Sequence, residues 1–400
     1  MTARTPELVE RFLGVMMKST PAPLAILERG EGARVWDVDG TEYLDFLAGI
    51  AVNALGHAHP VVVDAIHAQA SRVMHVSNYF ASEPQLELAE RLVRLTGGDR
   101  VYFANSGAEA IEAAIKLARL TGRPRIVALE SSFHGRTMGS LSLTGKQALR
   151  TPFEALLPGA AHIAVTLEAL EAEFAAHGPE LAAIVIEPIQ GEAGVVELPA
   201  GFLARARELT REHGALLILD EIQTGAGRTG EWFAFQREGI VPDAVALAKG
   251  IGGGFPIGAL VAFGAASELF QPGQHGSTFG GNPLATATAN AVLGEIERAG
   301  LIANAAHRGA QLRTLIASLE SPLVQEITGA GLLLGVALRE PVAAAVVQAA
   351  QRRGLIINAA APGRIRLAPP LIIGDAEIAE FGEKFAAALS DVQNTAGDTP

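Results

Sequence analysis

Residues 243–258 read DAVALAKGIGGGFPIG, an apolar run that ends in a lysine and passes into a cluster of glycines. AVALA is the kind of short apolar run that forms a strand buried in a parallel sheet. Lys249 then stands at that strand's carboxyl end, the edge where open α/β sheets bind ligands. The chain has only five lysines, Lys18, Lys116, Lys146, Lys249 and Lys384, and the other four lie in polar or helical surface settings. Desolvation at a strand end would lower the Lys249 pKa and make the amine a nucleophile able to form a Schiff base. A lysine that merely snorkels from the strand end to water fits the same position. The glycines lack the helix that should open directly after a GxGxxG nucleotide turn, so they read as clearance for a bulky group on Lys249.

Working outward, short apolar runs alternate with helical stretches from about residue 100, the order that builds a parallel sheet covered on both faces. The strand candidates are Val101 to Ala104, Arg125 to Leu129, Ala182 to Ile186, Ala215 to Leu219, Ala244 to Ala248 and Gly258 to Phe263. Helices are expected between them, such as Ala108 to Leu120 and Gly201 to His213. Residues 50–295 are read as one large α/β domain. Residues 1–49 offer a helix and then GARVWDVDGTEYLDF, two strand-like runs about the turn Asp39-Gly40. Residues 296–390 offer the strand GLLLGVAL, a helix from Pro341 to Arg353, extended chain through IRLAPPLII and a helix opening at an Asp375 N-cap. These two flanks are expected to form a smaller α+β domain, with 391–400 as a flexible tail.

Composition narrows the function. The chain has 400 residues, long enough for two domains, and 49% of them are apolar. A net charge of -12 with no basic stripe argues against nucleic acid and acidic membrane as partners. The absence of cysteine removes disulfides, thiolate metal sites and a cysteine nucleophile. No apolar run reaches the roughly 18–20 residues of a membrane span, so a cytoplasmic protein is expected.

Other strand ends carry candidate chemistry. Asp220 closes LLILDEI, where a desolvated carboxylate needs a cation: either a local arginine, with Arg228 the candidate, or a charged ligand nitrogen. A Schiff-base lysine with an aspartate for a pyridinium nitrogen is the pairing of a pyridoxal phosphate site. In NSGAEAIEAAIKLAR, Ser106-Gly107-Ala108 open a helix whose free amides suit a phosphate; Ser106 as an ordinary N-cap with Glu109 completing a capping box explains the same letters. Arg136 in SFHGRT and Arg366 in IRLAPPL could each clamp a carboxylate, and Glu192 in EPIQGEAG could pair with either; surface ion pairs are the plainer reading of each alone. His57 and His59 in GHAHP are too isolated to argue for metal and are left structural. No GxSxG elbow of a serine hydrolase is present.

Together these motifs resemble the class III (subgroup II) aminotransferases of fold type I, most closely the acetylornithine branch, from GARVWDVDGTEYLDF to IRLAPPLII. The resemblance implies a mostly parallel seven-stranded sheet in the large domain, with pyridoxal 5'-phosphate as cofactor. By motif, it makes Lys249 the Schiff-base lysine and proton shuttle, gives Asp220 to the pyridine nitrogen and Gln223 to the ring hydroxyl, and stacks Phe133 on the ring. Ser106, Gly107 and Ala108 would hold the phosphate, while Thr278 of HGSTFGGNPLA would reach the phosphate of a neighbouring subunit, implying a homodimer with shared active sites. Arg136 would hold the carboxylate distant from the reacting amine, Arg366 the α-carboxylate of glutamate, and Glu192 would pair with Arg366 when an ω-amine is bound.

The implied reaction is ping-pong transfer from N2-acetylornithine to 2-oxoglutarate, a step of arginine biosynthesis. Ile50 stands where ornithine enzymes tend to carry a tyrosine, and Thr20 about where many acetylornithine enzymes carry one. Succinylornithine, 4-aminobutyrate or a carrier-linked lysine precursor are alternative donors, since an apolar pocket discriminates modestly among acyl groups. A racemase or mutase on the same scaffold and a non-catalytic binding protein are the alternatives outside transamination.

Overall fold

Ala244–Leu247 is buried along its whole length and pairs on both sides. Leu216–Asp220 runs parallel to it, with Asp220 opposite Ala246, and Gly258–Ala262 runs antiparallel, with Ala259 opposite Leu247. The computed structural model describes residues 4–19 and 21–397. It places these strands in a seven-stranded sheet ordered Arg100–Ala104, Gly258–Ala262, Ala244–Leu247, Leu216–Asp220, Leu181–Ile186, Arg125–Leu129, Ala160–Ile163. Only Gly258–Ala262 opposes its neighbours. A parallel return needs a crossover of roughly a dozen residues or more, and the glycine-rich link from Leu247 to Gly258 is too short to provide one.

Side-chain alternation explains why these runs are apolar throughout. Ala244, Ala246, Ile218, Val185 and Ile126 pack on one face against the helix Gly107–Arg119, while Val245, Leu247, Leu219, Ile184 and Val127 pack on the other. Burying both faces leaves only the strand ends for polar chemistry. The sequence pattern misses Ala160–Ile163, because this edge strand is half-buried and carries His162 in a run of four.

The two ends of the chain meet. Arg34–Asp37 and Glu42–Asp45 form the antiparallel pair expected about Asp39-Gly40, and Leu355–Ile356 adds to it in parallel, Leu355 opposite Leu44. A separate sheet pairs Leu333–Leu338 with Arg364–Leu367, which carries Arg366. The last helix, Asp375–Gly397, corrects two expectations. It continues past Ser390 into the segment read as a flexible tail, where Asp391 accepts two hydrogen bonds from Arg353 at 2.6 and 3.1 Å and Val392 joins the core. Asp375 is its first residue, with a carboxylate turned to Arg308 and Gln311. Among the described residues no helix is long and apolar enough to cross a membrane.

Glu221 follows Asp220 and is also buried; its carboxylate accepts from the Phe235 amide at 2.8 Å and from the Thr224 hydroxyl. Burial pushes its pKa up to about 7, against the opposing pull of those donors. In the unfolded chain the group ionises near pH 4.3. Between those values the folded state therefore holds more protons, so this contribution to stability is present at low pH and is lost as pH rises toward 7. Glu221→Gln should flatten the fall of Tm between pH 5 and 7 relative to the unmodified chain; an unchanged slope in thermal melts would contradict the assignment.

Candidate active site

Five strands end at one edge of the sheet, and the segments that leave them enclose a cavity of about 450 Å³. Ser106, Gly107, Ala108, Phe133, Arg136, Glu192, Asp220, Gln223 and Lys249 all line it. Arg366 lies behind that wall, donating to Glu192 and Gln223. Thr278 does not line the cavity and is exposed on the surface of the chain. Thr20 lies outside the described residues.

Lys249 follows the buried strand directly and opens a tight turn, Lys249–Ile251, with φ of 48°. This left-handed backbone aims the side chain into the cavity. Burial lowers its pKa; the charges of Glu192, Asp220 and Glu187 oppose that shift, and Arg366 adds to it. The amine is thus biased toward its free-base, nucleophilic form.

Asp220 is buried on the cavity floor. The sequence offers Arg228 as its partner, and the structure corrects this: Arg228 donates to the carbonyls of Leu332 and Pro369. Asp220 Oδ2 instead meets His134 Nδ1 at 2.7 Å, and Oδ1 accepts from the Ile222 amide at 3.1 Å. Burial alone would lower the His134 pKa, but the hydrogen bond and charge of Asp220, with Glu187 behind, raise it. The contact gives both buried side chains a partner in a place where an unpaired carboxylate would be costly.

Glu187 is the second residue that motif reading misses. Its carboxylate accepts from the Phe133 amide at 2.8 Å and the Gly191 amide at 3.1 Å, tying the loop of Phe133 to the loop of Glu192. Burial pushes its pKa up to about 7, with His134 opposing and Asp220 reinforcing the shift. Both missed residues sit within motifs already singled out, SFHGRT and EPIQGEAG, and only folding shows which letters face inward.

Ser106 caps its helix, accepting from the Glu109 amide at 3.2 Å. The Glu109 carboxylate turns to the amide and side chain of Asn105, at 2.6 and 2.8 Å, so the capping box is not closed on Ser106. Among the described residues the Gly107 and Ala108 amides find no acceptor, and both line the cavity. Cap and anion seat therefore coexist at the same helix start.

Arg366 is 1% exposed and donates to Asn358 at 2.8 Å, to Gln223 at 3.2 Å and to the Glu192 carboxylate. Burial would raise the Glu192 pKa, but the Arg366 charge and hydrogen bond lower it, so the pair is ionic. A Cβ on Gly191 would lie 2.3 Å from Gln223 Oε1, which is why the chain has glycine where these two loops meet. Arg136 is exposed at the mouth, 5.6 Å from the Phe133 ring centroid, with no carboxylate partner among the described residues. His57 meets Asp45 at 2.8 Å, and no group of three metal-ligating side chains occurs among the described residues.

The segment leading into Val52, which lines the cavity, is strained. Ala48, Gly49, Ile50 and Ala51 have φ of 50°, 65°, 66° and 62°, a full left-handed turn. Each non-glycine residue in it costs about 1–2 kcal/mol.

A buried amine of lowered pKa, a paired carboxylate, a helix start with free amides and an aromatic face suit a phosphate-bearing pyridine aldehyde. The unsatisfied amides of Gly107 and Ala108 meet its phosphate requirement. The family model "Aminotransferase class-III" matches residues 15–389. The acetylornithine aminotransferase of Streptomyces coelicolor is 53% identical over 98% of this chain and 97% of its own. That of Mycobacterium tuberculosis is 51% identical over 99% and 98%. Among solved structures, the N-acetylornithine aminotransferase of Stenotrophomonas maltophilia is 38% identical with a TM-score of 0.83, covering 97% of this chain and 100% of that one. The Toxoplasma gondii ornithine aminotransferase, with partial occupancy of PLP at its active site, is 32% identical with a TM-score of 0.93, covering 98% and 96%.

His134→Phe and Asp220→Asn, singly and combined, should show coupling on the order of 1–3 kcal/mol in urea unfolding, since either change strands a buried polar partner. Additive losses would mean that the two side chains do not sustain one another.

Proposed function

Because the chain belongs to the class-III aminotransferases, whose cofactor is pyridoxal phosphate, we propose that it moves the ω-amino group of N2-acetylornithine to 2-oxoglutarate. The observation that carries this reading is a buried arginine with a removable carboxylate, Arg366 and Glu192, beside the Lys249 amine. The cofactor supplies an aldehyde for amine exchange and a ring that draws electrons from the bond being broken.

The side chains divide the remaining work. Lys249, its pKa lowered by burial, would exchange with the incoming amine and then carry a proton at Nζ to and from the reacting carbon. Asp220, oriented by His134, would hold a proton on the ring nitrogen. The Gly107 and Ala108 amides and the Ser106 helix start would hold the phosphate; Gln223 would reach the ring hydroxyl, and Phe133 would cover the ring face. Lining the cavity with apolar as well as polar groups keeps water from competing with the amine.

Two unlike substrates share the site through one ion pair. N2-acetylornithine brings its amine on a carbon without a carboxylate, so Arg366 needs a substitute anion there, and Glu192 supplies it. Glutamate brings an α-carboxylate beside its amine, which would take Arg366 and displace Glu192. Arg136 at the mouth would hold the far carboxylate of either molecule.

The same reading includes a homodimer in the cytoplasm. Thr278 is exposed, and its neighbour Phe279 is 61% exposed, with Tyr79 and Phe80 at 92% and 70%. Large apolar side chains left in water suit a subunit contact, across which Thr278 would reach the neighbour's phosphate.

A panel of ω-amines with 2-oxoglutarate should rank N2-acetylornithine first by kcat/KM, and Glu192→Ala should slow its half-reaction at least ~10-fold more than that of glutamate. A different leading donor, or equal losses in stopped-flow rates, would overturn the reading. Mixing Lys249→Ala with Thr278→Ala chains, each defective alone, should restore about a quarter of the normal turnover through mixed dimers with one intact site. No recovery after subunit exchange would rule out shared sites.

A further inference from the structure

The GHAHP motif has no part in the chemistry above, yet its first histidine anchors the strained turn that leads into Val52. Asp45 Oδ1 accepts from the Leu47 and Ala48 amides at 2.9 and 2.8 Å, the two donors that open the left-handed turn. Asp45 Oδ2 meets His57 Nε2 at 2.8 Å. His57 is itself fixed: its amide and carbonyl pair with Gly32 at 2.8 and 3.0 Å, and a Cβ on Gly30 would lie 2.6 Å from the His57 Cβ. The turn closes through Ala51 to Leu47 at 3.0 Å and Val52 to Ala48 at 2.9 Å.

The chain leaving this turn reaches the cavity. Val52 lines it. The turn also rests on the glycine segment that starts at Lys249: a Cβ on Gly254 would lie 3.0 Å from Asn53 Oδ1, and one on Gly250 would lie 3.8 Å from the Ala51 carbonyl oxygen. Three of the four left-handed residues are not glycine, so local preference works against the turn, and outside contacts must hold it. Strain persists at a functional wall only where the surroundings over-determine it.

We propose that Asp45 and His57 are positioning residues for the amine donor: together they clamp the left-handed turn 48–51 against the Lys249 segment, so that Val52 forms the wall along which the donor's carbon chain lies. This rests on the donor assignment above. Loosening the clamp moves Val52 without touching Lys249, Asp220 or Arg366. Its effect should therefore fall on donor binding more than on the chemical step.

The test uses the full-length, cofactor-loaded enzyme. His57→Ala should raise the KM for N2-acetylornithine about 10-fold, change the KM for glutamate less than ~3-fold, and leave kcat and the cofactor absorbance within about twofold. Amide hydrogen exchange across residues 47–53 should quicken by at least ~10-fold. His57→Gln, whose side-chain amide can still donate to Asp45, should restore slow exchange and the low KM. Val52→Ala removes the wall and spares the clamp, so it should raise the donor KM while exchange stays slow, which keeps the proposal testable if His57→Ala fails to fold. Unchanged exchange in His57→Ala, or a loss of kcat and Tm with KM unaltered, would overturn it, as would a normal donor KM in Val52→Ala. Should the unmodified enzyme ignore N2-acetylornithine, the donor assignment fails instead, and the exchange measurement still decides whether the clamp exists.

Discussion

Charged groups at the edge of a sheet buried on both faces govern this structure. Asp220 and Glu187 leave neighbouring strands into an interior where an unpaired carboxylate costs several kcal/mol. His134 meets the first, and the backbone amides of Phe133 and Gly191 meet the second. These bonds draw inward the loop after Arg125–Leu129 and the one after Leu181–Ile186. The cavity and its polar lining thus arise from the same requirement, that no buried charge be left without a partner.

The Lys249 amine is the exception, and it is useful for that reason. No side chain forms an ion pair with it among the described residues; burial lowers its pKa while carboxylates nearby hold that shift in check. An amine shifted toward its free base suits exchange with another amine and transfer of a proton. The Arg366–Glu192 pair extends the logic outward, since here the buried guanidinium is met by a carboxylate. Under the proposed function a substrate carboxylate would replace Glu192 on Arg366, and a cost of burial would become a means of telling substrates apart.

Backbone strain is concentrated beside this site. Lys249 has a left-handed backbone, and so does the turn 48–51 that packs near it. Lys249 itself lines the cavity, while the turn leads into Val52, which does; both strained segments are held by contacts from distant parts of the sequence. Asp45 and His57 belong to the segment before the large sheet, which shows how the amino-terminal end shapes a site built mostly by the middle of the chain.

Periodicity and strand-end position were enough, in the sequence, to find six of the seven strands, the helix start at Ser106, and Lys249 and Asp220 as polar strand ends, which the fold brings to one cavity. These are local features: an apolar run, a cap and a charge at its end leave their mark in adjacent letters. The half-buried strand Ala160–Ile163 left none, since packing on one face imposes no uniform pattern. His134 as the partner of Asp220, the two-loop bond of Glu187 and the left-handed turn were likewise illegible, and Arg228 looked the better partner only because it is nearer in sequence. Which buried donor meets which buried acceptor depends on chain segments tens of residues apart converging at one sheet edge. That convergence is a property of tertiary packing, so the chain alone could name the reactive groups while only the fold could assign their partners.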